Sequence, residues 1–560
     1  MSASDTPSSE RIELDGESLR PEDVVAVARA GIPVAVTDDA RERVRASRER
    51  VRDVVDSGEP VYGLNTGFGE LVDERIPADQ IERLQTNLLR SHAAGAGREL
   101  SREETRAMMV SRINALIKGY SGVREVVIDH LLTLLNEGVT PVVRSRGSLG
   151  ASGDLAPLAH MSLVLIGEGE ALLHDANEND ADESLRVSGD VALEALDLEP
   201  LSLAPKEGLA LINGTQLTVG LASLLVVDGE RVIDAADAAG ALTTEVTLGT
   251  TATSDTAIHD VRPHAGQQKS AATVRALTAE SEIVDAHRNC DRVQDAYSLR
   301  CLPQVHGAVR DALTHLRAGV EIELNSATDN PLVFPADSVD DRASGTDSAA
   351  VISGGNFHGQ PLALRLEYAR LALIDLGAIS ERRIDRILNP NLQEPHLPPF
   401  LAPESGVQSG YMIAQYTAAA LLNECRSIGA ASSDNTPVSG GQEDHVSMSA
   451  QAALNARCTL ENVRRIVATE AICATQAAEY VEDAFDDELH VGSDSSTTDD
   501  GTHPHRLGLG VGTGALYDCV RKHVPPLEDD RVLDDELDAV AIAIKTGTIA
   551  DALSRWLSST

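Results

Sequence analysis

Gly147-Ser148-Leu149-Gly150-Ala151-Ser152-Gly153-Asp154-Leu155 is the stretch around which the rest of the chain is organised. Small residues packed this densely make a tight loop, because glycine reaches backbone angles closed to other residues. They also permit a chemical step. The Gly153 amide nitrogen can fold back onto the Ala151 carbonyl carbon and close a five-membered ring with loss of water. Loss of a second water from Ser152 then leaves an exocyclic methylidene. Gly153 lets the nitrogen approach unhindered, Ala151 keeps the attacked carbonyl open, and Ser152 supplies the leaving hydroxyl. Asp154 is placed to handle the protons. Taken alone, such a tripeptide is a turn, and the rest of the chain has to decide.

At 560 residues the chain can bury a large core, and its length suggests two or three structural units. Its six cysteines form no CxxC or other paired framework, which indicates buried thiols rather than a zinc site or a disulfide scaffold. Met1-Ser2-Ala3-Ser4-Asp5-Thr6-Pro7 is polar, and no run approaches about 18 apolar residues, so a soluble, cytoplasmic protein with no membrane partner is expected. A net charge of −41 argues against nucleic acid as a partner. Only five of the 47 basic residues are lysine (Lys118, Lys206, Lys269, Lys522 and Lys545). An acidic, arginine-rich chain suits a cytoplasm of molar salt, where the Debye length is about 3 Å and self-repulsion is screened. A halophilic protein is expected.

Short αβ-type segments fill the first 60 residues or so. Val61 to Gly69 is punctuated by glycine and cannot be a regular helix. Ser101-Arg102-Glu103-Glu104 reads as a capping box opening a helix to about Lys118, and Arg124 to Glu137 follows as another. From about 306 onward, three-and-four spacing predicts long helices over 306–325, 361–388, 408–432, 446–482 and 534–557. Acidic stretches at about 174–190, 336–349 and 486–503 read as solvated insertions. The expected architecture is mainly α. A mixed N-terminal domain (1–225) carries the loop, and a long-helix bundle forms the C-terminal domain (226–560).

Aromatic residues make up only 2% of the chain, so their positions are informative. Tyr62, Tyr297 and Phe357 lie in glycine-rich or polar segments rather than on apolar helical stripes. Tyr62 stands in Tyr62-Gly63-Leu64-Asn65-Thr66-Gly67-Phe68-Gly69. His92 ends a helical pattern in Ser91-His92-Ala93-Ala94-Gly95, and Asn213 ends an apolar run in Leu211-Ile212-Asn213-Gly214-Thr215. Gln294, Tyr297 and Arg300 share Gln294-Asp295-Ala296-Tyr297-Ser298-Leu299-Arg300, while Gly441-Gln442-Glu443-Asp444-His445-Val446 clusters acids with a histidine. Singly, each has a plain alternative: a surface ion pair for Arg300 or Glu443, a cap for Asn213, a satisfied histidine at His92. His503-Pro504-His505 reads as adventitious, and Gly508 to Gly514 lacks a preceding strand and reads as a helix-start turn rather than a dinucleotide loop.

Together, and in this order, these segments resemble the aromatic amino acid ammonia-lyases that build a methylidene-imidazolone electrophile from an internal Ala-Ser-Gly. The likeness runs from about Tyr62 to the C-terminal helices. It also includes Asn325-Ser326-Ala327-Thr328-Asp329-Asn330-Pro331 and Ser353-Gly354-Gly355-Asn356-Phe357-His358-Gly359. Gly147 to Leu158 is its most specific signature, and the acidic insertions depart from the family without touching the motifs. Two places resemble the histidine-specific branch: Ser91-His92, and Gln442-Glu443-Asp444-His445-Val446, where plant-type members carry an uncharged amide near Glu443. A carboxylate beside a phenyl ring is desolvated without a partner. Beside an imidazole or the substrate amine it gains a charge-assisted hydrogen bond.

The resemblance implies the fumarase/aspartase-like fold of the superfamily and a homotetramer with active sites shared between subunits. It also implies elimination of ammonia from L-histidine to give trans-urocanate. The electrophile, 4-methylidene-imidazol-5-one, would form autocatalytically from Ala151-Ser152-Gly153, helped by Asp154, with no metal and no dissociable cofactor. Tyr62 would take the β-proton. Arg300 and Gln294 would hold the carboxylate, Asn213 and Tyr297 would orient electrophile and amine, His92 and Glu443 would read the imidazole, and Phe357 would close the pocket. A phenylalanine or tyrosine ammonia-lyase, or an aminomutase, is the alternative with the same electrophile.

Overall fold

Long helices dominate the chain because it contains long segments with few glycine or proline interruptions. The computed structural model describes residues 11–58, 61, 63, 76–174, 184–288, 293–340, 344–433, 435–482 and 508–557. Within these, Leu302–Leu324, Gln360–Leu388, Met412–Ser427 and Ser449–Ala477 match four of the five predicted long helices. The fifth is two helices, Asp534–Thr546 and Thr548–Leu557, because Gly547 adopts a left-handed φ of 93° and caps the first. A 31-residue helix, Gln216–Val246, escaped the spacing argument. It is buried nearly all round, with polar and charged residues such as Asp237 enclosed among the apolar ones, so it carries little of the amphipathic signal that marks a surface helix. No described helix is long and apolar enough to cross a membrane.

Two compact units are present, each built from three stretches of chain: Met1–Val227, His315–Glu367 and Ala430–Asn455 in the first, Asp228–Thr314, Tyr368–Gly429 and Ala456–Thr560 in the second. The sequence reading divides the chain once, at 225. The observed units are discontinuous because the late helices return segments to each.

Among the described residues every strand belongs to the first unit, in two two-stranded and two three-stranded sheets. Ile12–Leu14 pairs in parallel with Val34–Val36. Part of the first acidic stretch is a strand, Ser184–Ser188, which pairs antiparallel with Glu170–His174, and the second lies between the antiparallel strands Leu332–Pro335 and Ala349–Ile352. The helix Arg102–Leu116 starts at the predicted capping box: Glu104 N donates to Ser101 Oγ, and Ser101 N donates to the Glu104 carboxylate at 2.8 Å. It is buried on nearly all sides, so its arginines become internal struts. Arg106, for example, donates to the carbonyl oxygens of Val27 and Leu135.

The second unit, among its described residues, is helical and encloses a chain of buried ionisable groups. His306 Nδ1 lies 2.7 Å from Asp237 Oδ1, and Arg310 pairs with Asp237 and Asp234. Arg383 pairs with Glu470 and also approaches His306 Nε2 at 3.2 Å. Arginine only donates, so Nε2 accepts and the proton of this neutral imidazole sits on Nδ1, toward Asp237. Burial pushes the His306 pKa down and Arg383 adds to this, against the pull of Asp237. At the Gly508–Gly514 segment, Gly510 caps the helix Val511–Arg521, as the helix-start reading expects.

Candidate active site

The geometry around Ala151-Ser152-Gly153 is set by glycines. Gly153 has a φ of 73°, and a Cβ there would run into the backbone of Gly214, to which it is joined by a parallel β-bridge. Asp154 N donates to Gly214 O at 2.7 Å, closing this glycine-on-glycine contact. On the other side of the loop, Gly359 N donates to Gly150 O at 3.0 Å, Ser447 Oγ donates to the same oxygen, and Met448 N donates to Leu149 O. The loop is thus clamped by three separate parts of the sequence.

Asp154 begins the helix Leu155–Leu163 and is fully buried. Ser148 Oγ donates to its Oδ1 at 2.7 Å, and Thr218 donates from its amide and its hydroxyl. Thr218 Oγ1 in turn meets Ser449 Oγ at 3.0 Å. Burial raises the Asp154 pKa, while the Thr218 and Ser148 contacts oppose the rise. A carboxyl held in this way next to a peptide that must lose water is equipped to carry a proton.

Ser152 Oγ donates to Glu443 Oε1 at 2.7 Å, across 291 residues of sequence. His92, last residue of the helix Ile81–His92, turns Nδ1 to Leu88 O at 2.8 Å, and a carbonyl oxygen can only accept. The Nε2 lone pair of the neutral ring is therefore left for another group. Burial lowers the His92 pKa, against the Leu88 carbonyl and the nearby Glu443 charge. Glu443 is thus bonded to the serine of the loop and lies within electrostatic reach of the His92 imidazole. Phe357 is half-buried two residues before Gly359, in a segment tied down at both ends. Asn330 Oδ1 accepts from Gly354 N at 2.7 Å, and the rings of His358 and His445 stack at 5.8 Å.

Asn213 is 3% exposed, and its Nδ2 donates to Asn330 O at 2.9 Å. Its Oδ1 is buried with no partner among the described residues. In the second unit, Arg300 Nη1 donates to Gln294 Oε1 at 2.7 Å, and its guanidinium lies over the exposed Tyr297 ring. Tyr62 lies outside the described residues, as does the His503-Pro504-His505 segment. No group of three or more metal-ligating side chains occurs among the described residues.

These residues fit a cyclised Ala-Ser-Gly. The loop is clamped on both faces, the Gly153 position admits no side chain, and an orphaned carboxamide oxygen waits on the asparagine preceding Gly214. The sequence reading did not single out Ser148, Thr218, Ser449 or Arg112. The one available signal was a group of polar residues, Thr215, Gln216 and Thr218, between the apolar run Leu209-Ala210-Leu211-Ile212 and the apolar turns that follow.

A mainly helical fold holding a loop of this kind defines a carbon–nitrogen lyase. The chain belongs to the aromatic amino acid lyase family, whose model matches residues 19–498. It is 58% identical to a probable histidine ammonia-lyase of Halobacterium salinarum, over 98% of this chain and 99% of that protein. It superposes on the histidine ammonia-lyase of Trypanosoma cruzi with a TM-score of 0.83 at 37% identity, covering 98% of this chain and 95% of the other. A tyrosine aminomutase from Streptomyces globisporus gives a TM-score of 0.85 at 37% identity, covering 97% and 98%.

Proposed function

We propose that this chain is a histidine ammonia-lyase, eliminating ammonia from L-histidine to give trans-urocanate as the first step of histidine degradation. The observation that carries the reading is Glu443, hydrogen-bonded to Ser152 and electrostatically coupled to His92. A carboxylate and a neutral imidazole beside the loop suit a substrate side chain that is itself an imidazole, and match the names of the relatives above.

The electrophile is 4-methylidene-imidazol-5-one, made by the chain itself. The Gly153 nitrogen bonds to the Ala151 carbonyl carbon and its oxygen leaves as water. Ser152 then loses its α-hydrogen and its hydroxyl as a second water. Once formed, the group withdraws electrons from the bound substrate and so makes ammonia a better leaving group. The protein side chains do the rest. Arg300 holds the carboxylate bidentately with Gln294 beside it, Tyr297 and Asn213 orient amine and electrophile, and Tyr62 takes the β-proton. His92 accepts from the imidazole at Nε2, Glu443 pairs with it, and Phe357 covers it. Asp154 serves ring closure rather than turnover.

The enzyme works as a cytoplasmic homotetramer with shared active sites. Exposed apolar residues recur at helical spacing along Gln360–Leu388 (Leu364, Tyr368, Leu371) and Met412–Ser427 (Ile413, Tyr416), which supports burial against further copies. Excess acid over base supports function at high salt.

The likeness to a tyrosine aminomutase favours a second reading, the same electrophile acting on tyrosine or phenylalanine. A substrate panel in high salt separates them: urocanate absorbance growing with histidine alone supports the first. Coumarate, cinnamate or a β-amino acid as the only product overturns it.

A further inference from the structure

We propose that Arg112 is a positioning residue for ring closure, holding the Asn213-Gly214 peptide against Gly153 so that the Ala151-Ser152-Gly153 loop is compressed into a cyclising geometry. The inference rests on the electrophile reading above and extends it to a residue inside a buried helix, outside every motif of the sequence.

Arg112 lies in the helix Arg102–Leu116 and is 0% exposed. Its fork reaches three oxygens: Nη1 donates to Asn213 O at 3.0 Å and to Gln216 Oε1 at 2.6 Å, and Nη2 donates to Ala210 O. Gln216 Nε2 passes the contact on to Thr328 Oγ1 at 2.7 Å. Among the described residues no carboxylate pairs with it directly; Asp329, a buried acid within its electrostatic reach, is bonded to Lys206 at 2.6 Å. A buried cation without a direct counter-ion is costly. Capping the short helix Glu207–Ile212 alone could be left to water or to a polar side chain.

Gly214 explains the placement. A Cβ on it would meet Gln216 Oε1, Arg112 Nη1 and, at 3.0 Å, Thr328 Oγ1, so this layer packs directly under its Cα. Gly153 packs directly on the Gly214 backbone, with no side chain between. Arg112, Gly214 and Gly153 therefore form a stack, and a shift of the guanidinium passes through one peptide to the attacking nitrogen. The cation also lies within electrostatic reach of Asp154, so it favours the carboxylate form that accepts a proton during dehydration.

The test is the rate of ring closure in the full-length chain, synthesised cell-free in high salt. At intervals, the fraction of the loop peptide lighter by two waters (about 36 Da) is read by mass spectrometry. Arg112→Gln is expected to close at least about tenfold more slowly, and Arg112→Lys to recover part of that loss. Thr328→Val keeps Arg112 and removes only the far end of the relay, and is expected to slow closure about twofold to threefold. In Thr328→Val, which leaves the Arg112 contact to Asn213 O in place, kcat per ring-bearing subunit stays within about twofold of the parent, a split that a merely structural strut would not produce. Closure at the parent rate in the folded variants, Thr328→Val included, overturns the inference. A parent chain that never loses the two waters instead overturns the electrophile reading.

Discussion

Replacing Glu443 by glutamine tests the substrate reading at its centre. The change keeps the shape and the hydrogen-bonding length while removing the charge. Its backbone pairing is untouched, since Val438 N donates to the Glu443 carbonyl and Val446 N is held by Asn435 Oδ1 at 2.8 Å. The effect is therefore local. What is lost is a charge-assisted hydrogen bond to the substrate imidazole, a contact that contributes roughly 1.5–3 kcal/mol. At 1.4 kcal/mol per decade, kcat/KM for histidine should fall roughly 10- to 150-fold. For phenylalanine the sign reverses: the parent must desolvate a carboxylate against a phenyl ring, and the amide removes that cost. The assay is kcat/KM for both amino acids in high salt, normalised to the ring-bearing fraction found by mass spectrometry, because Ser152 also touches Glu443. Equal losses for both substrates after normalisation would refute the assignment of Glu443 to the imidazole.

Ser152→Ala should leave helical content and melting behaviour unchanged while abolishing both the loss of two waters and nearly all turnover; near-parent activity would sink the electrophile. Gly214→Ala should lower the urea midpoint by an amount worth roughly 2–4 kcal/mol, because the new methyl meets Arg112 and Gln216 at a φ of 147°. Stability should also fall with pH. The fold disfavours protonated His306, whereas an unfolded histidine takes its proton near pH 6.5, so stability is complete above that value and declines as pH drops below it. Comparing urea midpoints at pH 7.5 and 5.5 should show a smaller difference for His306→Gln than for the parent; identical differences would remove His306 from the acid response. Finally, melting temperature should rise steeply with salt, and a protein equally stable in dilute buffer would contradict the charge argument.

Much of the helical order was legible because amphipathic helices write their period into the sequence. Met412–Ser427 and Ser449–Ala477 fall where three-and-four spacing puts them, and the Ser101–Glu104 box marked its helix start directly. Two elements were hidden for opposite reasons. Gln216–Val246 is buried on nearly every face, polar residues included, so no apolar stripe marks its period. The break at Gly547 lies inside a continuous pattern on both sides, and a single glycine in a helical run is ordinarily tolerated. The small sheets were harder still, since strands of three to five residues leave almost no periodicity to read.

The site divides along a similar line. Residues whose chemistry is unusual for their setting, such as a carboxylate beside a histidine at Glu443 and a carboxamide ending an apolar run at Asn213, stood out in the sequence. Residues that act by position did not. Thr218 and Ser449 are ordinary small polar side chains until the fold lays one against Asp154 and the other against Thr218. Arg112 is one of three arginines in a single helix, and nothing in its neighbours distinguishes it from Arg106, which braces Val27 and Leu135 instead. What separates the two is the partner: Arg106 holds the Val27 and Leu135 carbonyls, while Arg112 holds the Asn213 carbonyl beside the glycine against which Gly153 packs. A ring closure between two backbone atoms depends on backbone placement. The groups that control it should therefore be those that grip carbonyl oxygens, and such groups leave no motif.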